Sequence, residues 1–231
     1  QPDLPFLGGA VGFTSYDMVK TWEKTVPQKS LDYPLVYFHT AHRFIYIDHL
    51  RHTVGAVSIV PVRNKNLYVE AETWINEVFR KLEEKRENEN TTFQLKGEIR
   101  SNFSQRDFLE CVERIKDLIE EGHISQTVIS QKFSAPFDGD PFLPYRCLRS
   151  LNPSPYMFYL DAGDFQLAGS SPEMLVKLDK GKLTTKPIAG TRKRNRARPE
   201  EEIIQELLND EKENAEHIML LDLGRNDIGK V

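Results

Sequence analysis

An α+β fold with antiparallel sheets and packed helices is predicted from three features of this sequence. Runs of β-branched and aromatic residues, parted by short polar breaks, fill positions 34–60. Apolar stripes at helical spacing follow at 74–82, 108–119 and beyond Pro199. Between them, two pairs of short apolar runs flank glycine-containing turns, the pattern of hairpins rather than of βαβ crossovers.

The elements follow in order. Pro34–Thr40, His42–Asp48 and Thr53–Val60 read as an antiparallel meander. Trp74, Val78, Phe79 and Leu82 share one helical face, and that helix runs out into the charged stretch Glu83–Asn90, a solvated surface. Ser104 stands three residues before Asp107 as an N-cap, ahead of a stripe of Phe108, Val112, Ile115 and Ile119, and Gly122 is placed to stop this helix. Ile124–Phe133 reads as a strand, and Asp140-Pro141 as the opening of a short helix carrying Tyr145 and Leu148 inward. Met157–Asp161 with Phe165–Ala168, and Leu175–Leu178 with Leu183–Lys186, form the two hairpins. Pro199 opens a helix that breaks at Asn209-Asp210, and another runs from Glu211 towards Leu223. The expected division is 1–97, a meander plus a helix, and 98–231, the segment that carries the chemistry.

Composition excludes several classes. With 31 basic and 35 acidic residues in 231, the net charge of −4 lacks the basic excess of nucleic-acid binders, and 39% hydrophobic residues place the chain outside the disordered class. No apolar run approaches the ~20 residues that span a bilayer, and the opening Gln1–Pro5 lacks the basic and apolar regions of a secretory signal. Cys111 and Cys147 make no disulfide framework, so the expected setting is the cytoplasm. The histidines at 39, 42, 49 and 52 match no zinc spacing, and Gly8-Gly9 matches no phosphate loop.

Three constellations are suited to chemistry. Glu213 and Glu216 share a helical face, where two carboxylates suit Mg²⁺; the same region also reads as an Asp210-x-x-Glu213 capping box on a surface helix. Gly190-Thr191-Arg192, after a strand ending in Pro187-Ile188, offers amides, a hydroxyl and a guanidinium to an anion, or forms an ordinary basic loop. Glu173, after Ser170-Ser171-Pro172, is a carboxylate suited either to proton transfer or to capping.

Taken together, the motifs resemble those of the chorismate-utilising enzymes, and among them the anthranilate synthase component I branch. The matching blocks are Gly8–Phe13 with Ser15-Tyr16-Asp17, Ser130–Phe133, Asn152–Met157, Ser171-Pro172-Glu173, Pro187–Arg192, and Asp210–Glu213 with Ala215-Glu216-His217 and Asp222–Asp227, all in family order. The sister isochorismate and salicylate synthases carry a water-activating lysine where this chain has Gln126. The lysine-nucleophile aminodeoxychorismate synthases carry another at the position of Ala189. An alanine forms no covalent adduct, which leaves external ammonia as the nucleophile.

The resemblance implies part of the family's α/β sandwich and a lyase-type conversion of chorismate and ammonia to anthranilate and pyruvate, the first step of tryptophan biosynthesis. It implies Mg²⁺ at Glu216, with Glu213 as its neighbouring carboxylate. Gly190 and Thr191 would contact substrate, and Glu173 would assist proton transfer. It further implies a glutamine amidotransferase subunit as ammonia source, and feedback inhibition by tryptophan at a pocket that includes Asn152, Pro153, Ser154, Pro155, Tyr156 and Met157. Local departures are His123 and Ser125 within the Gly122–Gln126 block, and Asn195 after the Thr191-Arg192 block. Family members are about twice this length, so the chain is expected to be a fragment with little activity alone. The competing expectations are an aminodeoxychorismate synthase and a non-catalytic tryptophan-sensing or amidotransferase-binding module.

Overall fold

The computed structural model describes residue 4 and residues 6–26, 32–84 and 91–231. The charged run at 85–90 lies outside the described residues. Contacts divide the chain into two compact units, Gln1–Glu89 and Asn90–Val231.

In the first unit, β1 (Gly9–Thr14) pairs antiparallel with β2 (Val36–Ala41), and β3 (Arg43–Asp48) pairs antiparallel with β4 (Thr53–Ser58). Two separate hairpin-like pairs therefore replace the expected continuous meander, and the chain changes pair at the bend of His42. Asp48 builds the β3–β4 turn by accepting from the amides of Leu50 and Arg51, both at 2.9 Å. α1 (Lys65–Glu83) starts at Asn64, whose side chain accepts from the amides of Asn66 and Leu67. The helix lies against β4, buries Ala71 and sets Trp74 under the Arg43 guanidinium, 5.8 Å from the ring centre.

In the second unit, β5 (Phe93–Leu95) is followed by β6 (Arg100–Ser101) and α2 (Gln105–Glu120), then by β7 (Phe133–Ser134) and β8 (Phe137–Gly139). β5 pairs with β8 and β6 with β7, both antiparallel. α2 has both expected ends. The Ser104 hydroxyl accepts from the Asp107 amide at 3.1 Å. Gly122, at φ +78°, lets its own amide reach Ile119 O and the His123 amide reach Leu118 O, the two bonds of a Schellman stop.

The strand expected over 124–133 is a correction: only Phe133–Ser134 enters a ladder. A strand exists by virtue of its partner; Lys132 still meets Asn102, but no neighbouring strand among the described residues pairs with 124–131. α3 (Phe142–Leu151) opens with Asp140 accepting from the Phe142 amide at 2.9 Å. It packs on the antiparallel hairpin of β9 (Tyr156–Asp161) and β10 (Gln166–Ser171), where Phe142, Tyr145 and Tyr159 form a ring cluster with centroids 4.9–5.6 Å apart. The hairpin of β11 (Lys177–Asp179) and β12 (Lys182–Thr184) follows. α4 (Glu200–Leu208) and α5 (Glu211–Gly229) close the chain, with α5 extending beyond the expected Leu223.

Burial is sparse. Among the described residues only Ala71 and Ile203 are buried, while Ile45, Ile47, Leu109, Phe133, Leu175 and Ile218 are among many large apolar side chains left exposed. The accessible surface is 20046 Å², against about 11,000 Å² for a folded monomer of this mass.

Candidate active site

Helices α4 and α5 meet at a sharp break, and the Pro187–Arg192 loop lies against it. Asp210 caps α5, its Oδ1 accepting from the Glu213 amide at 3.0 Å. Only this half of the expected capping box forms. The Glu213 carboxylate goes elsewhere, accepting from Arg192 Nη1 at 3.0 Å. The same guanidinium donates through Nη2 to Asp210 Oδ2 at 2.5 Å and through Nη1 to the Thr191 carbonyl at 3.0 Å, and its Nε lies 3.4 Å from Glu206 Oε1. Arg192 and Glu213 are each about one-quarter exposed, so this junction is more sheltered than most charged contacts in the chain.

The electrostatic consequences follow from these contacts. Hydrogen bonding to Glu213, with the charge of Asp210 behind it, pushes the Arg192 guanidinium further above its already high pKa. The Glu213 amide foremost, and then the Arg192 charge, hold the Asp210 carboxyl below the ordinary carboxylate range. The guanidinium that the sequence suggested for an external anion is therefore engaged by three carboxylates of its own chain.

Gly190 stands at φ +77°, a conformation that favours glycine. A Cβ there would lie 3.1 Å from Glu213 Oε2 and 3.1 Å from Leu207 Cδ1, so the loop backbone approaches the carboxylate as closely as only glycine allows without displacement. At the other end of the loop, the Ile188 amide donates to Glu173 Oε1 at 2.9 Å. The Ser171 hydroxyl in turn bridges the Glu173 amide and carbonyl. The Thr191 hydroxyl is exposed and makes no hydrogen bond among the described residues.

One turn beyond Glu213, the half-buried Glu216 accepts at Oε1 from Gln126 Nε2, 3.2 Å away. Its Oε2 has no partner among the described residues, which leaves an anionic oxygen suited to a hard cation. No group of three or more His, Cys, Asp or Glu that could hold a metal forms among the described residues. The donor set thus fits only an ion content with one or two carboxylates and several waters.

Asn152–Met157 leads into the β9–β10 hairpin, on the strand that precedes Ser171 and Glu173. Asn152 O accepts from the Ser170 hydroxyl at 2.8 Å, and Tyr156 and Met157 are register partners of Ser171 and Ser170. Sequence reasoning named Glu173, Gly190, Thr191, Glu213 and Glu216 as candidates and Asp210 as a cap, but missed that Arg192 joins Glu206, Asp210 and Glu213. Their one sequence signal is the spacing of Glu206, Asp210 and Glu213, which brings three carboxylates to the α4–α5 junction.

Comparison with known proteins places the chain in a family. The family model described as chorismate binding enzyme matches residues 1–231. Anthranilate synthase component 1 of Acetivibrio thermocellus is 40% identical over all of this chain and 49% of its own length, and that of Aquifex aeolicus is 42% identical over 98% of this chain and 47% of its own. The crystal structure of anthranilate synthase component I from Streptococcus pneumoniae TIGR4 superposes with a TM-score of 0.81 at 35% identity, covering 100% of this chain and 52% of that one. The chain spans about half the length of the curated relatives it matches. The mixed antiparallel fold expected from the sequence is the one that this neighbour shares. No helix of the described residues is long and apolar enough to cross a membrane. With the family model and these relatives matching essentially the whole of it, the chain belongs to the chorismate-binding enzyme family.

Proposed function

We propose that this chain is part of an anthranilate synthase large subunit, converting chorismate and ammonia to anthranilate and pyruvate. The observation that carries the reading is the contact of Gln126 with Glu216. At the position where the sister isochorismate and salicylate synthases place a lysine, a neutral amide holds one carboxylate oxygen of the expected metal site. Ala189 likewise removes the second lysine of the family, so neither side chain supplies a base or an amine and ammonia enters from outside. The names of the relatives, anthranilate synthase component 1, support the same assignment and agree with a second component. The proposed partner is a glutamine amidotransferase subunit, and the proposed setting is the cytoplasm.

In this reading Glu216 would hold Mg²⁺, with Glu213 as its neighbouring carboxylate. The chemistry such an ion would supply is Lewis acidity toward the chorismate carboxylate and its leaving hydroxyl. The Thr191 hydroxyl and the Gly190 backbone orient the substrate. Glu173 keeps Oε1 on the Ile188 amide, which leaves Oε2 to hold or pass a proton near the ring. Asn152–Met157 forms part of a tryptophan-binding inhibitory pocket.

The test is incubation of the complete gene product with chorismate, Mg²⁺ and excess ammonium, followed by separation of products. Anthranilate is the expected product, and Glu216→Gln is expected to lose this Mg²⁺-dependent turnover. Aminodeoxychorismate or isochorismate would move the protein to a sister activity. Tryptophan binding without any turnover would make it a sensing module. The 231 residues alone are expected to be nearly inactive, since one available carboxylate in an open site holds Mg²⁺ weakly.

A further inference from the structure

We infer that Arg192 is a positioning residue that locks the Gly190-Thr191 backbone and the Glu213 carboxylate into one unit. The inference rests on the chorismate reading for its kinetic consequence but not for its structural one. Arg192 belongs to the loop, while every carboxylate that it engages belongs to the α4–α5 junction. Its fork spreads across Glu206, Asp210 and Glu213, and it also turns back onto the Thr191 carbonyl immediately before it. One planar group therefore fixes the substrate-facing loop and the first turn of α5 together.

Two further observations show that this arrangement is specific. Gly190 leaves no room for a side chain between the loop and Glu213, so the two surfaces are fitted at contact distance. The far end of the loop is tied independently, through the Ile188 amide to Glu173. Releasing Arg192 frees one end of the loop while the other stays anchored. Thr191 then swings, and Glu213 loses the partner that neutralises it one turn before Glu216. A lysine cannot replace this clamp, because a single ammonium lacks the planar fork that spans three carboxylates and a carbonyl.

The test compares Arg192→Ala, Arg192→Lys and Glu213→Gln with the parent in the complete gene product. Hydrogen exchange reads the clamp without reference to activity. The amides of Glu213 and Asn214, which rest on Asp210, are expected to exchange at least about tenfold faster in both Arg192 variants, while the anchored Ile188 amide and the β9–β10 hairpin are unaffected. Ammonia-dependent turnover is expected to fall about tenfold or more in kcat in both, with guanidinium ion added in solution restoring part of it to Arg192→Ala alone. In the double variant, adding Glu213→Gln to Arg192→Ala is expected to cost little more than the worse single change. Unchanged exchange in the first turn of α5 would overturn the clamp, whatever the activity. Faster exchange with undiminished kcat, or fully additive single effects, would overturn the positioning role. A parent protein that turns over no chorismate would overturn the proposed function, and the exchange result would still decide the clamp.

Discussion

Replacing Gly190 by alanine separates the conformational and steric roles of this glycine. An L-residue in the left-handed region costs roughly 1–2 kcal/mol, partly offset by about 0.4–1 kcal/mol from the stiffer unfolded chain. Gly163 provides the control: it sits at φ +85° with nothing within 4 Å of the place a methyl would take, so Gly163→Ala carries the backbone cost alone, about 1 kcal/mol. At Gly190 the new methyl also meets Glu213 Oε2 and Leu207 Cδ1 at 3.1 Å and Glu213 Cβ at 3.2 Å. Glu213 yields only by stretching its bond to Arg192, which adds an overpacking cost of roughly 1–3 kcal/mol. Urea unfolding of the two variants in the complete gene product reads the difference. Gly190→Ala is expected to lose about 1–3 kcal/mol more than Gly163→Ala, and Glu213→Ala in the same chain should return only the share due to Oε2, because Glu213 Cβ and Leu207 Cδ1 stay in place. Equal losses for the two alanines would refute the idea that Glu213 is held rigidly against the loop.

Other expectations are equally direct. Ser104→Ala removes the acceptor for the Asp107 amide and is expected to destabilise α2 by about 1 kcal/mol, measured by chemical unfolding; Ser104→Asp should retain the cap. Asp210, lowered by the Glu213 amide and Arg192, and Asp48, lowered by the Arg51 amide first, favour the folded state in their charged forms. Their contribution is present above the ordinary carboxyl value near about 4 and is lost as pH falls through the lowered native values. Tm is therefore expected to drop on acidification below about pH 4, and more shallowly in Asp210→Asn; parallel acid limbs would contradict this. The 231-residue polypeptide, with only Ala71 and Ile203 buried among its described residues, is expected to bind a hydrophobic dye and to self-associate on gel filtration. A monodisperse monomer without dye binding would overturn that reading.

Local chemistry was the part most legible in advance. Both ends of α2 could be read from Ser104 and Gly122, because capping involves groups within a few residues of one another. The β9–β10 and β11–β12 hairpins were legible for the same reason, since their turn residues lie between the strands they join. The carboxylates and the Gly190-Thr191 loop could be named from motif order, but not their contacts.

Ile124–Lys132 has the composition of a strand, yet a ladder requires a partner, and partners are chosen by the whole chain. The direction of Arg192 was equally hidden. Its guanidinium suits an external anion in isolation, and only folding brings Asp210 and Glu213, 18 and 21 residues later, within hydrogen-bond reach. Gln126 meets Glu216 across 90 residues of sequence, where no periodicity or capping rule applies. By itself, then, the sequence determined the antiparallel α+β class, both ends of α2 and the family. Tertiary structure decided which charges neutralise one another and which carboxylate oxygen stays open, because Coulomb and hydrogen-bond energies depend on separation in space rather than along the chain.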